Sequence, residues 1–176
     1  MRIDPEQTTT PATLTTPPPG LYEIDPGHST VTFATRHLFG LGPVRGRFAV
    51  RGGSVDVTEP VSYSGVRAEI DAASFSTGNG QRDGIVRSRR FLDTARHPEI
   101  IFISERFGGT ALHGTLTVRG VSRPVSLSVS EATVTAGEFT VRATTRIDRT
   151  EFGVTASRGL AGRYLDMSLE VRCLRK

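Results

Sequence analysis

The segment from Tyr164 to Cys173 is the feature that most constrains the fold of this chain. Its polarity alternates strictly, and one face is made of Leu165, Met167, Leu169, Val171 and Cys173. The residues between them, from Tyr164 to Arg172, are mostly polar or charged. Because successive side chains of a strand point to opposite faces, this pattern predicts a strand with one face on a core and one in water. One-sided strands of this kind are typical of antiparallel sheets.

The same alternation recurs along most of the chain. Further strands are predicted at residues 30–36, 44–50, 63–71, 100–107, 112–118, 125–129 and 139–147. Gly52-Gly53 predicts a hairpin that leads into a short strand near Val55 and Val57. About eight strands with short turns indicate an all-β protein, either an antiparallel barrel or a sandwich. Periodicity alone does not choose between the two.

Length and composition set the outer limits. A chain of 176 residues is expected to form one domain with a sizeable core. Residues 1–20 are rich in Thr and Pro, so we expect a flexible, partly extended tail before a folded unit at residues 21–176. The chain contains no run of about 18 apolar residues, so no membrane span is predicted. The tail as written lacks the apolar core of a signal peptide.

The charge of the chain is basic but dispersed. The formal net charge is +4 and the sequence pI is about 10.0, which could indicate nucleic acid as a partner. The arginines, however, are scattered rather than gathered in a block. A protein that binds single-stranded nucleic acid would also carry aromatic side chains interleaved with arginine on an outward face. The outward faces predicted here carry Thr, Ser and mixed charges, so we expect no nucleic-acid partner.

One segment, residues 77–102, interrupts the strands. If Gln81 to Leu92 is helical, Ile85, Val86 and Leu92 form one stripe, and Arg82 and Arg89 fall within the same arc. An apolar stripe with two guanidinium groups suits a lid over an amphiphile, with the arginines directed to its head group. The alternative is that both arginines reach solvent or pair with carboxylates. Asp83 and Arg87 are spaced for an i,i+4 ion pair.

Several segments, taken in order, resemble a known family. They are DPGHSTVTFATRH, VRGRF, FSTGNGQRDGIVRSRRFLDTARHPEIIFIS, GTLTVRGVSRPVSL and IDRTEFGV, which run from about Tyr22 to Val171. Together they resemble the YceI-like polyisoprenoid-binding family. The resemblance implies a lipocalin-like barrel of about eight strands with a short helical lid, holding a long isoprenoid inside. It makes a homodimer a reasonable expectation. Many members are exported, but without a signal peptide we expect this chain in the cytoplasm.

The predicted ligand is a long-chain amphiphile, either an isoprenoid quinone, a polyprenyl phosphate or a fatty lipid, that the protein carries or stores. An eight-stranded barrel is wide enough for one such chain, and each buried CH₂ contributes roughly 0.8 kcal/mol. The predicted ligand-binding residues are Phe33, Phe48, Val66, Ile70, Arg82, Ile85, Arg89, Leu92, Phe102, Leu116, Leu127, Val141, Leu165, Met167 and Leu169. The alternative is that the apolar residues simply fill a solid core.

No metal site, cofactor or catalytic residue is predicted. His28 and His37 are nine residues apart, which places them on opposite faces of one strand and argues against a shared metal. We expect His28 to be a hydrogen-bonded residue that closes the barrel end. The second hypothesis is an enzyme acting on an isoprenoid or fatty-acyl lipid, and it requires a titratable pair beside the cavity. The candidates would be His28, His37 and Asp83. The arginine and aspartate of IDRTEF are expected to tie down a loop.

Overall fold

A computed structural model describes residues 13–37, 42–157 and 160–176. These residues form ten strands and one α-helix: β1 (Thr13–Leu14), β2 (Gly20–Ile24), β3 (Thr30–His37), β4 (Gly42–Val57), β5 (Gly65–Ser76), α1 (Gly80–Arg87), β6 (Glu99–Gly108), β7 (Ala111–Val118), β8 (Val121–Thr135), β9 (Glu138–Asp148) and β10 (Tyr164–Arg175). Short 3₁₀ turns lie at Pro26–His28, Val61–Tyr63 and Arg149–Phe152. At eight residues α1 is too short to cross a bilayer, and the described chain contains no helix that could.

The strands close into an antiparallel barrel of eight positions. Strands β4 to β10 each pair with the next one along the chain. The remaining position is shared by β2 and β3, which pair with opposite halves of both β4 and β10 and so complete the ring. The expectation of an all-β, lipocalin-like barrel with one short helical segment is therefore confirmed.

The alternation of β10 holds throughout its length. The side chains of the five residues that we took as its apolar face point inward, and Tyr164, Asp166 and Ser168 on the other face are exposed. Since β10 pairs with β2, β3 and β9, its register fixes which side chains of these three strands face inward beside it.

The predicted hairpin at Gly52-Gly53 is wrong, because β4 continues through both glycines as one strand. Both residues have positive φ angles, 154° and 149°, and the register with β5 shifts beside them. A Cβ atom at Gly53 would collide with the carbonyl of Arg67 on β5. The strand therefore shifts its register at these glycines, and Gly53 allows the close approach of β5, both of which are known uses of glycine within sheets.

The predicted helix is shorter than expected. It ends at Arg87 rather than Leu92, because Ser88 leaves the helical conformation with ψ of 171° and its hydroxyl bonds the carbonyl of Ile85. Turns then carry the chain to β6, and Leu92 is tied back by its amide to the carbonyl of Val86. Serine competes for backbone hydrogen bonds in this way, which favours helix ends.

The described part of the predicted tail lies against the barrel. Residues 1–12 are outside the described residues, so their flexibility stays a prediction. Thr13 and Leu14 pair in parallel with Glu131 and Ala132 of β8. Farther along, the carbonyl of Pro18 accepts a hydrogen bond of 2.8 Å from the hydroxyl of Tyr22.

The buried apolar residues form a cluster at each end of the barrel. One cluster includes Tyr22, Val57, Phe139 and Cys173, and we call this the Tyr22 end. The other is made of Phe91, Phe152 and Val154 with Val86 of α1 packed against them, and we call this the helix end. β10 runs from the helix end to the Tyr22 end, so the two clusters close opposite ends of the interior.

Candidate functional site

The interior of the barrel contains a cavity of about 420 Å³. Its wall is drawn from every strand position, from α1 and from residues 14–17. Almost every lining side chain is apolar. Pockets of this volume and lining are typical of sites for small apolar ligands, and the wall has few groups that could orient a polar one.

Most of the predicted ligand-binding residues line this cavity. They are Phe33, Phe48, Val66, Ile70, Arg82, Leu92, Phe102, Leu116, Leu127, Val141, Leu165, Met167 and Leu169. Ile85 and Arg89 do not line it, because both side chains are exposed. The helix stops short of the length that would have placed Arg89 on the same stripe as Arg82. Whether the lining residues contact a ligand stays a prediction.

Some lining residues were not predicted from the sequence. Leu14, Thr15, Thr16 and Pro17 close the wall near the Tyr22 end, although their composition indicated a tail. Leu14 is the only large apolar residue between Ile3 and Leu21, which was the one available signal. Phe91 also lines the cavity at the helix end, where it packs with Phe152 and Val154.

Three phenylalanines form an aromatic patch on the wall. The rings of Phe33 and Phe75 stack with centroids 5.2 Å apart, and Phe48 meets Phe75 edge to face at 5.5 Å. Pairs of this geometry contribute about 0.5–1.5 kcal/mol beyond the area they bury. These contacts therefore hold the three rings in fixed positions in the cavity wall.

Arg82 is the charged residue that α1 places in the cavity wall. Its backbone amide is capped by the side chain of Asn79 at 3.1 Å, which fixes the first turn of the helix. The side chain is half-buried, and its Nε is fully covered with no hydrogen-bond partner among the described residues. A covered donor without an acceptor is costly. An oxygen of a ligand placed beside it would relieve that cost.

Asp83 and Arg87 hold α1 in place, but they do not pair with each other as predicted. The buried carboxylate of Asp83 accepts hydrogen bonds from the amide and hydroxyl of Thr77, at 3.0 and 2.6 Å. Arg87 donates to the carbonyl of Phe75 at the end of β5. Both side chains therefore tie the helix back to the strand before it, and this tie positions Arg82.

Arg149 is the other charged residue in the wall, and it is almost fully buried. Its guanidinium donates to the carbonyls of Val154, Ala161 and Gly162, and it lies 5.6 Å from the ring centroid of Phe91. The expectation that IDRTEF ties down a loop is confirmed, because these bonds fasten the chain between β9 and β10 across the helix end. Within this motif, a hydrogen bond from Arg163 holds the pKa of Asp148 below its usual value.

The described lining contains no His, Asp or Glu. His28 is exposed and its Nδ1 lies 2.8 Å from Oδ2 of Asp25, so the predicted hydrogen bond is confirmed. That bond lowers the pKa of Asp25. Asp83 is buried against Thr77, and the side chain of His37 is outside the described residues. Cys173 faces the cavity, where burial raises its pKa from 9.0 to about 12.

Comparison with known proteins settles the family. The model of the YceI-like domain matches residues 22–173. The chain belongs to the YceI-like family. A UPF0312 protein of Shewanella baltica is 28% identical over 161 residues, which cover 85% of this chain and 83% of that protein. The resemblance inferred from the ordered motifs is therefore confirmed.

Solved structures of other proteins share the fold. BcnA of Burkholderia cenocepacia superimposes with a TM-score of 0.72 and 20% identity, over 85% of this chain and 98% of that one. A polyisoprenoid binding domain from Saccharophagus degradans superimposes with a TM-score of 0.69 and 15% identity, over 88% of this chain and 98% of that one. At these identities the similarity establishes the shared barrel.

Proposed function

We propose that this YceI-like protein binds one long-chain isoprenoid amphiphile inside the barrel and serves as its carrier or store. The observation that carries the proposal is the apolar cavity, whose wall includes a single helix-borne guanidinium with an unpartnered Nε. An apolar chain would fill the length of the cavity, and the head group would lie at Arg82 near the helix end. The polyisoprenoid-binding domain among the structural neighbours supports this class of ligand.

The wall favours binding over catalysis. An enzyme acting on the same lipid would need a proton donor and acceptor beside the reacting bond. The charged residues of the described lining, Arg82 and Arg149, are both arginines, whose guanidinium groups donate hydrogen bonds but accept none. Cys173 is neutral and distant from the helix end. No observation therefore favours the enzyme hypothesis.

The ligand can be identified directly. Native mass spectrometry and solvent extraction of the purified protein should reveal one bound isoprenoid per chain. If nothing apolar copurifies and neither a polyprenol nor a polyprenyl phosphate binds to the delipidated protein in detergent, the carrier hypothesis fails.

The role of Arg82 is tested by comparing two ligands that differ in the head group. A charge-assisted hydrogen bond contributes about 1.5–3 kcal/mol, so Arg82→Gln should weaken binding of a polyprenyl phosphate by about 10- to 100-fold. Binding of the matching polyprenol should change much less. Arg106→Gln is the matched control, because Arg106 is exposed on β6 and does not line the cavity. Equal affinities of the Arg82 variant and the wild type for the phosphate would remove Arg82 from the site.

A further inference from the structure

The helix end of the barrel carries a basic surface. It is formed by α1, by the turns at residues 88–98 and by the described residues between β9 and β10, which are 149–157 and 160–163. Arg89, Arg90 and Arg96 are exposed there, whereas Asp83 and Asp93, the acidic residues of this stretch, are buried. In the described chain between β9 and β10, Glu151 is the only exposed acid. Exposed positive charge is therefore nearly uncompensated at this end.

Hydrogen bonds hold the parts of this surface together. The guanidinium of Arg119, in the β7–β8 turn, donates to the carbonyl of Arg89 at 2.9 Å and to that of Gly153 at 3.2 Å. Arg90 reaches the hydroxyl of Ser157 at 3.4 Å. Neither Arg89 nor Arg96 forms an ion pair with a carboxylate of the described residues. The backbone of Arg89 is held by Arg119, and the side chains of Arg89 and Arg96 are exposed and available to an external partner.

Two large aliphatic side chains stand among these charges. Ile85 of α1 is 45% exposed, and Leu160, in the loop that Ser157 begins, is 51% exposed. Neither lines the cavity. Exposed apolar side chains beside unpaired arginines are typical of surfaces that lie in the headgroup region of a bilayer. Bases would gain little from aliphatic side chains, so the pattern favours a lipid surface over a nucleic acid.

We propose that this surface, defined by Ile85, Arg89, Arg90, Arg96 and Leu160 and called the basic face, docks on an anionic lipid bilayer. Each arginine close to such a surface raises the binding affinity about fivefold. The two aliphatic side chains enter the headgroup layer. The face lies on the end of the barrel where Arg82 lines the cavity. Docking therefore brings the proposed head-group position next to the bilayer, a step that rests on the proposed lipid ligand.

The test is cosedimentation with vesicles. The full chain is mixed with vesicles of phosphatidylcholine and phosphatidylglycerol at 70:30, and with vesicles of phosphatidylcholine alone. Arg89→Gln combined with Arg96→Gln should weaken binding to the anionic vesicles about 25- to 30-fold, following the fivefold contribution of each arginine. The binding of the wild type should also fall as salt rises.

The matched control removes two exposed arginines from elsewhere. Arg67→Gln combined with Arg106→Gln lowers the net charge equally on the side of β5 and β6, and should leave vesicle binding within about twofold of wild type. A third variant, Ile85→Ser with Leu160→Ser, should weaken vesicle binding while the net charge stays constant. Thermal unfolding followed by circular dichroism establishes that each variant is folded.

The outcomes separate this proposal from the proposed function. Loss of vesicle binding in the basic-face variants, with retention in the control, supports docking. Equal losses in both arginine double variants would overturn it, since net charge alone would then explain binding. Binding to a 20-nucleotide DNA but not to vesicles would overturn it as well. If no vesicle is bound but polyprenyl phosphate still binds in detergent, docking fails and the carrier function stands.

Discussion

Substitution of Ala143 by Phe tests whether the interior is a binding cavity or a solid core. Ala143 lies on β9, is 6% exposed, and faces the cavity between Val129 of β8 and Leu169 of β10. In a solid core the added ring would lower the free energy of unfolding by about 1–3 kcal/mol, the usual cost of overpacking. In a cavity the ring finds room, and its burial offsets the side-chain entropy that it loses.

The two cases predict different signs for stability and different effects on binding. We expect the free energy of unfolding of Ala143→Phe in urea to be unchanged or higher by about 1 kcal/mol. The ring has roughly the bulk of one five-carbon isoprene unit. Excluding one unit from the cavity, at about 0.8 kcal/mol for each carbon, costs about 4 kcal/mol and should lower lipid affinity about a thousandfold.

Ala34→Phe is the matched control for this experiment. Ala34 follows Phe33 on β3, does not line the cavity, and lies opposite Arg45 and Asp166 on the neighbouring strands. The same ring placed there should leave lipid affinity unchanged. Titration of a fluorescent polyprenyl phosphate in detergent measures all three proteins. A folded Ala143→Phe variant with the affinity of the wild type would refute the reasoning, because the ligand would then lie elsewhere.

Four further predictions concern the frame of the site. Arg149→Met should lower the free energy of unfolding in urea by about 3 kcal/mol, because it orphans three carbonyls; a loss under 1 kcal/mol would contradict this. Gly114→Ala should cost about 1–3 kcal/mol, since its Cβ would lie 2.5 Å from the carbonyl of Ile103, whereas Gly108→Ala meets no neighbour and serves as the control. The Cys173 thiol should resist iodoacetamide at pH 8 until the chain unfolds, and because folding raises its pKa from 9.0 to about 12, stability should fall as pH rises through that window; rapid labelling of the folded protein would argue against it. Deletion of residues 1–17 should leave the circular dichroism spectrum unchanged but speed the exchange of bound lipid, because residues 14–17 close part of the cavity wall. An unchanged exchange rate would show that these residues do not limit the release of lipid.

The fold could be predicted where the polarity of each side chain indicates whether it faces the core or water. The strict alternation in β9 and β10 predicted both strands and their inward faces, since a strand with one wet face admits few other arrangements. Barrel and sandwich share that alternation, so the choice between them depended on the ordered motifs rather than on periodicity. Gly52-Gly53 misled because paired glycines serve both tight turns and bends within a strand, and only the close approach of β5 distinguishes the two.

The cytoplasmic location and the homodimer stay predictions. The contacts within the described chain bear on neither prediction. Fractionation of cells that express the protein tests the location. Light scattering after size exclusion tests whether two chains associate.

The candidate site shows where pattern reasoning from sequence loses its power. Helical periodicity placed Arg82, Ile85 and Arg89 on one arc, but Ile85 is exposed although it lies within α1, which ends at Arg87. Beyond Arg87 the helical spacing carries no geometric meaning, and Arg89 faces solvent, as Ile85 does, while Arg82 lines the cavity. One predicted lid with two head-group arginines thus divides into two surfaces: an inner one beside the cavity and an outer basic face. Both proposed functions depend on the same short helix, because its capped first turn places Arg82 in the cavity wall and the arginines that follow its end are exposed.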